Sequence, residues 1–388
     1  MKQLPFFVLA LLLIINQSCT KTGFGGSSDS FGSSASAPGS GGGNGGGTAG
    51  VMTAGEWNDI QNWDFWKTLL TKDTIKTFPG IWGFYTQNKI SVTLKDANNK
   101  FIHDAKINLT YNGTTISAKT DNFGNAQLLP GLYLSGFSLS GFSLTAAVNS
   151  QTYNLGSYSS TETSITKIIP VNKPVYNTLD IMFVVDATGS MGDEIRYLKT
   201  ELLDVINRAG IELPGVQIRM GSVFYRDKGD EYVTRPFGFT TNPNELTNFV
   251  KNQEAGGGGD IPEAVDEALK TSVQDQQWSV NAVNRLLFLI LDAPPHKKDN
   301  VISKLRDAVT AAQQKGIRII PISASGIDWE TEFFLRFLGI STNSTYVFIT
   351  DHSGIGNPHH TPTVGNYQVE YLNNLMVRLI TKYGKNQD

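Results

Sequence analysis

Residues Leu179 to Ile195 read LDIMFVVDATGSMGDEI. Leu179 to Val185 is a largely apolar run without alternation, the pattern of a strand buried on both faces. It stops abruptly at Asp186, Thr188 and Ser190 in a glycine-containing turn, after which a helix begins. Alternate positions of a short extended loop point the same way, so one carboxylate and two hydroxyls are offered to one point in space. Hard cations such as Mg²⁺ take such all-oxygen donor sets.

From this stretch to the chain end, strand and helix patterns alternate. An amphipathic helix is predicted over Glu194 to Ala209, with Ile195, Leu198, Leu202, Val205 and Ile206 on its apolar face. Val216 to Tyr225 and Tyr232 to Phe239 read as a hairpin pair around RDKGDE at 226–231. Helices follow at Pro243 to Asn252 and from Ile261 to about Val273, then a second fully apolar strand at Arg285 to Leu291. Helix 299–315, strand 317–322, helix 329–338, strand 345–349 and a last helix at 368–382 complete the series. Such alternation predicts an α/β domain, a doubly wound, mostly parallel sheet covered on both faces. In these sheets a ligand sits outside the carboxyl ends of strands, where strand order reverses.

Two further stretches deliver acidic groups to that edge. GGGGDIPEA, Gly256 to Ala264, carries Asp260 in a glycine-rich loop, and LLFLILDAPPH, Leu286 to His296, ends a buried strand on Asp292. If the two apolar strands are neighbours, three carboxylates and two hydroxyls converge, and carboxylates so close repel unless a cation or protons lie between them. Asp260 has two readings, a cation ligand or a helix N-cap with Glu263 as its capping-box partner. Arg226, Asp227 and Asp230 are expected either to line the ligand rim or to form a solvated turn.

Asp186-Ala-Thr188-Gly-Ser190 resembles the Asp-x-Ser/Thr-x-Ser metal-ion-dependent adhesion site of the von Willebrand factor A family, and residues 173–388 have the matching element order. YRDKGDEY, GGGDIPE and LDAPPH are most similar to the bacterial and alpha-kinase-associated branch of that family. The resemblance implies that Thr188 and Ser190 ligate a divalent cation directly. It has Asp186 and Asp292 bind directly or through water, and the loop carrying Asp260 supply the remaining ligand. It implies Mg²⁺ most simply, with Ca²⁺ or Mn²⁺ possible, and a protein partner whose carboxylate completes the shell. This chain departs from the best-known members by having Asp260 where they place threonine. Three ionised aspartates would leave the site net negative around a divalent cation.

The rest of the chain has a different texture. Residues 1–19 read as a targeting segment: Lys2, an apolar run from Pro5 to Ile15 too short to span a bilayer, and a close on Asn16-Gln17-Ser18-Cys19. This resembles a bacterial lipoprotein signal of the Bacteroidota style, implying lipidation at Cys19. With Thr20 rather than an acidic residue following, it also implies the outer membrane. Cys19 is the single cysteine, which rules out an internal disulfide framework. Residues 20–50 are glycine- and serine-rich and predict a flexible tether with a root-mean-square reach of about 30 Å.

Residues 51–85 are rich in aromatics, and Trp63, Trp66 and Leu70 at helical spacing predict a short amphipathic helix packing on the next domain. Residues 86–172 alternate in short runs between Asn, Gly and Asp turns, the pattern of an all-β sandwich. TDNFGNAQL, Thr120 to Leu128, resembles a signature of immunoglobulin-like or carboxypeptidase-regulatory-like sandwiches.

A net charge of −3 over 388 residues gives no basic stripe for nucleic acid. The expected function is therefore a metal-dependent, protein-binding module on the bacterial envelope, not an enzyme. Two alternatives stand beside it, a metal-assisted hydrolase using Asp186, Asp292 and His296 and a scaffold with a vestigial metal site. His352, His359 and His360, in the loop before the last helix, could form an additional transition-metal site.

Overall fold

The computed structural model describes residues 52–259, 261–353 and 359–387. Strand β1 (Thr53–Trp57) and the short helices α1 (Trp63–Leu69) and α2 (Phe78–Trp82) come first. Seven strands follow, β2 (Ile90–Lys95), β3 (Lys106–Tyr111), β4 (Thr114–Lys119), β5 (Asn125–Leu128), β6 (Gly141–Val148), β7 (Gln151–Ser159) and β8 (Ser164–Ile168). They form two sheets, in the orders β5-β2-β8 and β4-β3-β6-β7. Alternating residues such as Val92, Leu94, Ile107, Leu109, Leu144 and Ala146 fill the core between them.

The C-terminal part contains β9 (Thr178–Asp186), α3 (Gly192–Glu212), β10 (Gln217–Tyr225), β11 (Thr234–Thr240) and α4 (Pro243–Lys251). It continues with α5 (Val265–Leu269) and a π-helical turn (Lys270–Gln274), β12 (Asn284–Leu291), α6 (Asp299–Lys315) and β13 (Ile317–Ser323). The chain closes with α7 (Trp329–Ser341), β14 (Tyr346–Thr350), β15 (Glu370–Tyr371) and α8 (Leu372–Gly384). One eight-stranded sheet has the order β11-β10-β9-β12-β13-β14-β1-β15. The five strands from β10 to β14 run parallel, and the flanking pairs are antiparallel.

Strand β9 explains why its sequence is apolar throughout. Met182 and Val184 face one core with α5, α6 and α7, whereas Leu179, Ile181, Phe183 and Val185 face the other with α3, α4 and α8. The charged residue within this run, Asp180, is buried against Arg219 at 3.1 Å and Ser279. After β9 the chain adds β10 on one side and later returns to add β12 on the other, so strand order reverses at β9. Its carboxyl end is the topological switch point, where such sheets keep their crevice.

The aromatic segment reaches further than the sequence expectation placed it. It meets the β region that follows it, with Phe84 5.6 Å from Tyr133 and the Tyr85 N–H donating to the Leu132 carbonyl, and it also packs on the C-terminal domain. β1 joins the large sheet beside β14, pairing Thr53 with Thr350 through Trp57 with Tyr346. Trp66 stacks on Phe333 at 5.3 Å, Trp82 lies 4.8 Å from Phe334, and Phe84 stacks on Phe337 at 6.0 Å. The cause lies in α7, whose Phe333, Phe334 and Phe337 are apolar beyond the face that meets the sheet and need a second cover.

Arg336 of α7 is fully buried inside this cover. It makes two hydrogen bonds to Asp59, of 2.6 and 2.9 Å, one to Glu332 of 3.0 Å, and two to Thr363. The fork of the guanidinium matches the Asp59 carboxylate, and the pair ties the N-terminal segment to the domain.

The sandwich docks at the end of the sheet remote from the switch point. Asp104 pairs with Arg285 at 2.7 Å and with Lys119 at 2.9 Å, and Asp121 pairs with Arg318. Arg285 and Arg318 begin β12 and β13, a strand length from the carboxyl edge. In the TDNFG turn, Asp121 accepts from the Phe123 and Asn125 N–H groups, and buried Asn122 donates to the Lys382 and Lys385 carbonyls at the end of α8.

Arg336→Met removes the cation between two buried carboxylates. It is expected to cost about 3–5 kcal/mol, read as a lower urea midpoint. Unchanged stability would show that Asp59 and Glu332 are satisfied without it.

A candidate metal centre at the carboxyl edge

Each predicted donor is placed by the end of a parallel strand. β9 and β12 are hydrogen-bonded neighbours with Val185 opposite Ile290, so Asp186 and Asp292 leave the sheet side by side. The Asp186 carboxylate is fully buried, and its Oδ1 accepts from the Thr188 N–H (2.9 Å) and hydroxyl (2.7 Å). Asp186 Oδ2 and Asp292 Oδ1 are buried without a hydrogen-bond partner among the described residues. Ser190 lies exposed beside Asp292 and donates toward it.

Three segments frame an open cleft of about 440 Å³: the 188–190 loop, the glycine loop with Ile261 and Glu263, and Asp292 with Ala293, Ser325 and Gly326. The glycine loop lies directly on the first loop, with Gly256 N–H donating to the Ala187 carbonyl (3.0 Å) and Gly189 N–H to that of Gly257 (3.3 Å). Its glycines are required by space as well as by conformation. Gly257 has φ +73°, and a Cβ there would come within 2.6 Å of the Asp230 carboxyl carbon.

Asp260 itself lies outside the described residues. The helix after it begins at Val265 with Ala264 in the N-cap position. Pro262 holds its predecessor away from helical geometry, and Glu263 instead bridges to Pro295, its N–H donating to the Pro294 carbonyl (2.9 Å).

Arg226, Asp227 and Asp230 brace the loops more than they line a rim. Buried Arg226 donates to the Ala187 carbonyl (3.1 Å) and the Glu254 carbonyl (2.8 Å), clamping the first loop to the glycine loop. Asp230 accepts from the Asp227 and Gly258 N–H groups, and Asp227 holds His296 Nε2 at 2.9 Å. His296 thus has an orienting carboxylate that its sequence position did not reveal. The other histidines are spent separately, His359 on Asp351 (2.7 Å) and His360 on Glu332 (3.0 Å), while His352 is exposed.

The electrostatics follow from burial. Burial, and then Asp292, pushes Asp186 up to about 7. Glu263 is pushed up to about 8 by burial and then by Asp186, Asp227, Asp230 and Asp292. Burial raises Glu194 to about 7, with Asp292 adding to the shift, and burial raises Asp292 against the pull of Ser190. The buried phenol of Tyr225, opposite Asp186 in the β10–β9 register, lies well above its ordinary value from burial and the same carboxylates. Glu263, Glu194 and Tyr225 were not singled out as site residues from sequence. Pro262 is the signal that sets Glu263 ahead of the helix, whereas Tyr225 is found only from strand register.

Among the described residues, no three Asp, Glu, His or Cys side chains form a ready-made metal cage. The donor set that is present, two orphaned buried carboxylate oxygens with two hydroxyls at the same loop, suits a hard cation whose shell includes hydroxyl and water oxygens.

Residues 180–356 match the family model of the von Willebrand factor type A domain. An ariadne-like RING finger protein of Acanthamoeba polyphaga mimivirus is 33% identical over 122 residues, 31% of this chain and 12% of that protein. An alpha-protein kinase of Dictyostelium discoideum is 24% identical over 175 residues, 45% of this chain and 27% of the kinase. The chain thus spans about a quarter or less of the length of these curated relatives. The crystal structure of BatB from Bacteroides thetaiotaomicron is 17% identical, covering 53% of this chain and 86% of its own, with a TM-score of 0.29.

In the presence of a chelator, the melting temperature should fall as pH rises from about 5 to 8. The raised carboxyls keep protons in the fold that the unfolded chain, with carboxyl pKa values near 4, has already released. The loss is complete above the folded values, and below about pH 4 the dependence vanishes because both states are protonated. Asp186→Asn should flatten the slope, and a variant slope equal to that of the parent would contradict this origin.

Proposed function

Because residues 180–356 form a von Willebrand factor type A domain, a fold that typically serves as a protein-interaction module, we propose that this chain binds a protein partner through a divalent cation at the carboxyl edge of the sheet. The observation that carries the reading is the pair of buried, unpartnered oxygens, Asp186 Oδ2 and Asp292 Oδ1, next to Thr188 and Ser190. A divalent cation there would supply a Lewis-acidic contact point for an oxygen of the partner. Thr188 and Ser190 offer hydroxyl oxygens, Asp186 and Asp292 balance the charge, and Arg226 keeps the two loops in register for the partner surface. Mg²⁺ is the simplest occupant, and Ca²⁺ or Mn²⁺ fits the same donors.

The same proposal places the chain on the bacterial envelope. Support comes from the sequence of residues 1–19, with Cys19 as the lipidated residue, and from the glycine-rich tether at 20–50, all outside the described residues. No helix among the described residues is long and apolar enough to cross a membrane.

The hydrolase reading has one observation in its favour, the His296–Asp227 pair at 2.9 Å, which gives the histidine a fixed orientation. The binding reading is preferred because Asp227 is itself part of the loop brace, its N–H donating to Asp230, which also accepts from the Gly258 N–H.

A pull-down from envelope extract, run with and without EDTA and with Asp186→Ala, tests the binding mode. One specific partner should be reduced at least tenfold by chelation and by the substitution alike. Identical partner sets at equal recovery in all arms would overturn it. Metabolic labelling with an alkyne fatty acid tests the anchor: Cys19→Ala should lose the label and move to the soluble fraction, and a labelled Cys19→Ala protein would refute lipidation there.

A further inference from the structure

We propose that Glu263 is a third carboxylate of the cation site, standing on the side that the glycine loop forms, so that the site encloses its cation in a net-negative oxygen shell. This rests on the metal-dependent reading above and adds a residue to it. Glu263 is only 3% exposed, yet its Oε2 has no hydrogen-bond partner among the described residues. Its Oε1 and the Thr188 Cβ both lie within 3.3 Å of one point, the position a Cβ on Gly258 would occupy. The side chain therefore stands against the hydroxyl-bearing loop.

The backbone of Glu263 is fixed to the segment that carries Asp292. Its N–H donates to the Pro294 carbonyl, and it bridges to Pro295. The backbone of Glu263 is therefore positioned by the same segment that supplies Asp292.

The nearby cationic groups are committed elsewhere. Arg226 serves the Ala187 and Glu254 carbonyls and Glu231, Lys228 faces Asp266 and Glu267, and His296 is bound to Asp227. Among the described residues, no Lys, Arg or His forms an ion pair with Glu263, Asp186 or Asp292. A buried carboxylate with no counter-ion is costly, and three around one cleft are costlier, unless a cation balances them. The charge count of the ligands is one lever that sets divalent-cation affinity in oxygen sites.

The test is calorimetric titration of the full-length chain in detergent, stripped with chelator, with CaCl₂, MgCl₂ and MnCl₂ in separate runs. The parent should bind one cation, Asp186→Ala none, and Glu263→Gln the same cations at least tenfold more weakly. Glu263→Asp, which keeps the charge on a shorter arm, should fall between parent and Glu263→Gln. The melting temperature of Glu263→Gln in chelator should equal or exceed that of the parent, since the amide replaces a buried carboxyl that has no counter-ion there, and this separates loss of binding from loss of fold. If the parent binds no cation, the metal-dependent reading fails and this one with it. If the parent binds, Asp186→Ala does not, and Glu263→Gln binds as the parent does, only the assignment of Glu263 is overturned.

Discussion

Asp186 is a carboxylate buried at the end of a strand that is itself buried on both faces, and the surroundings are arranged to tolerate it. One oxygen is satisfied by the N–H and hydroxyl of Thr188, while the other is left without a partner beside the orphaned oxygen of Asp292. Burial raises both groups, and the nearby Asp292 raises Asp186 further. The loops that hold them must therefore be secured from outside the cluster. Arg226 does this with its guanidinium, donating to backbone carbonyls on two loops while its own charge faces no donor of the site. Hydrogen bonds to the backbone thus hold an edge rich in buried carboxylates in place.

The other described segments dock away from that edge. The sandwich is joined to the starts of β12 and β13 through Asp104, Asp121, Arg285 and Arg318, at the opposite end of the sheet. The aromatic segment covers α7 along its flank and is locked by the Arg336–Asp59 pair. Both additions bury polar partners in matched pairs, so they hold a defined orientation and not merely an apolar contact. A body built in this way presents its carboxyl edge away from the sandwich, which suits a module that meets a partner at that edge.

The structure also redistributes roles among residues that are close in sequence. Arg226, Asp227 and Asp230, expected at a ligand rim or in a solvated turn, brace the loops, because the hairpin turn folds back onto the glycine loop. Glu263 was a candidate capping residue and instead lies in the cleft, because Pro262 delays the helix to Val265. In each case the residue type was informative and its partner was not, since the partner arrives from a segment 28 to 69 positions away.

The central parallel strands and the acidic residues that end them were legible from hydrophobic periodicity, whereas the edge strands β1 and β15 were not. A run apolar on every residue has to be covered on both faces, and a charged or hydroxyl residue that ends it has to lie at a sheet edge. The Asp-x-Thr-x-Ser turn and Asp292 could be read for the same reason. What periodicity cannot carry is adjacency. Only the tertiary structure made β9 and β12 neighbours, pinned Glu263 beside Pro294, set Tyr225 opposite Asp186 and carried the aromatic segment onto α7. Those contacts depend on strand order and on which apolar surface remains uncovered after the sheet has formed, and both are properties of the assembled layers, not of any local stretch.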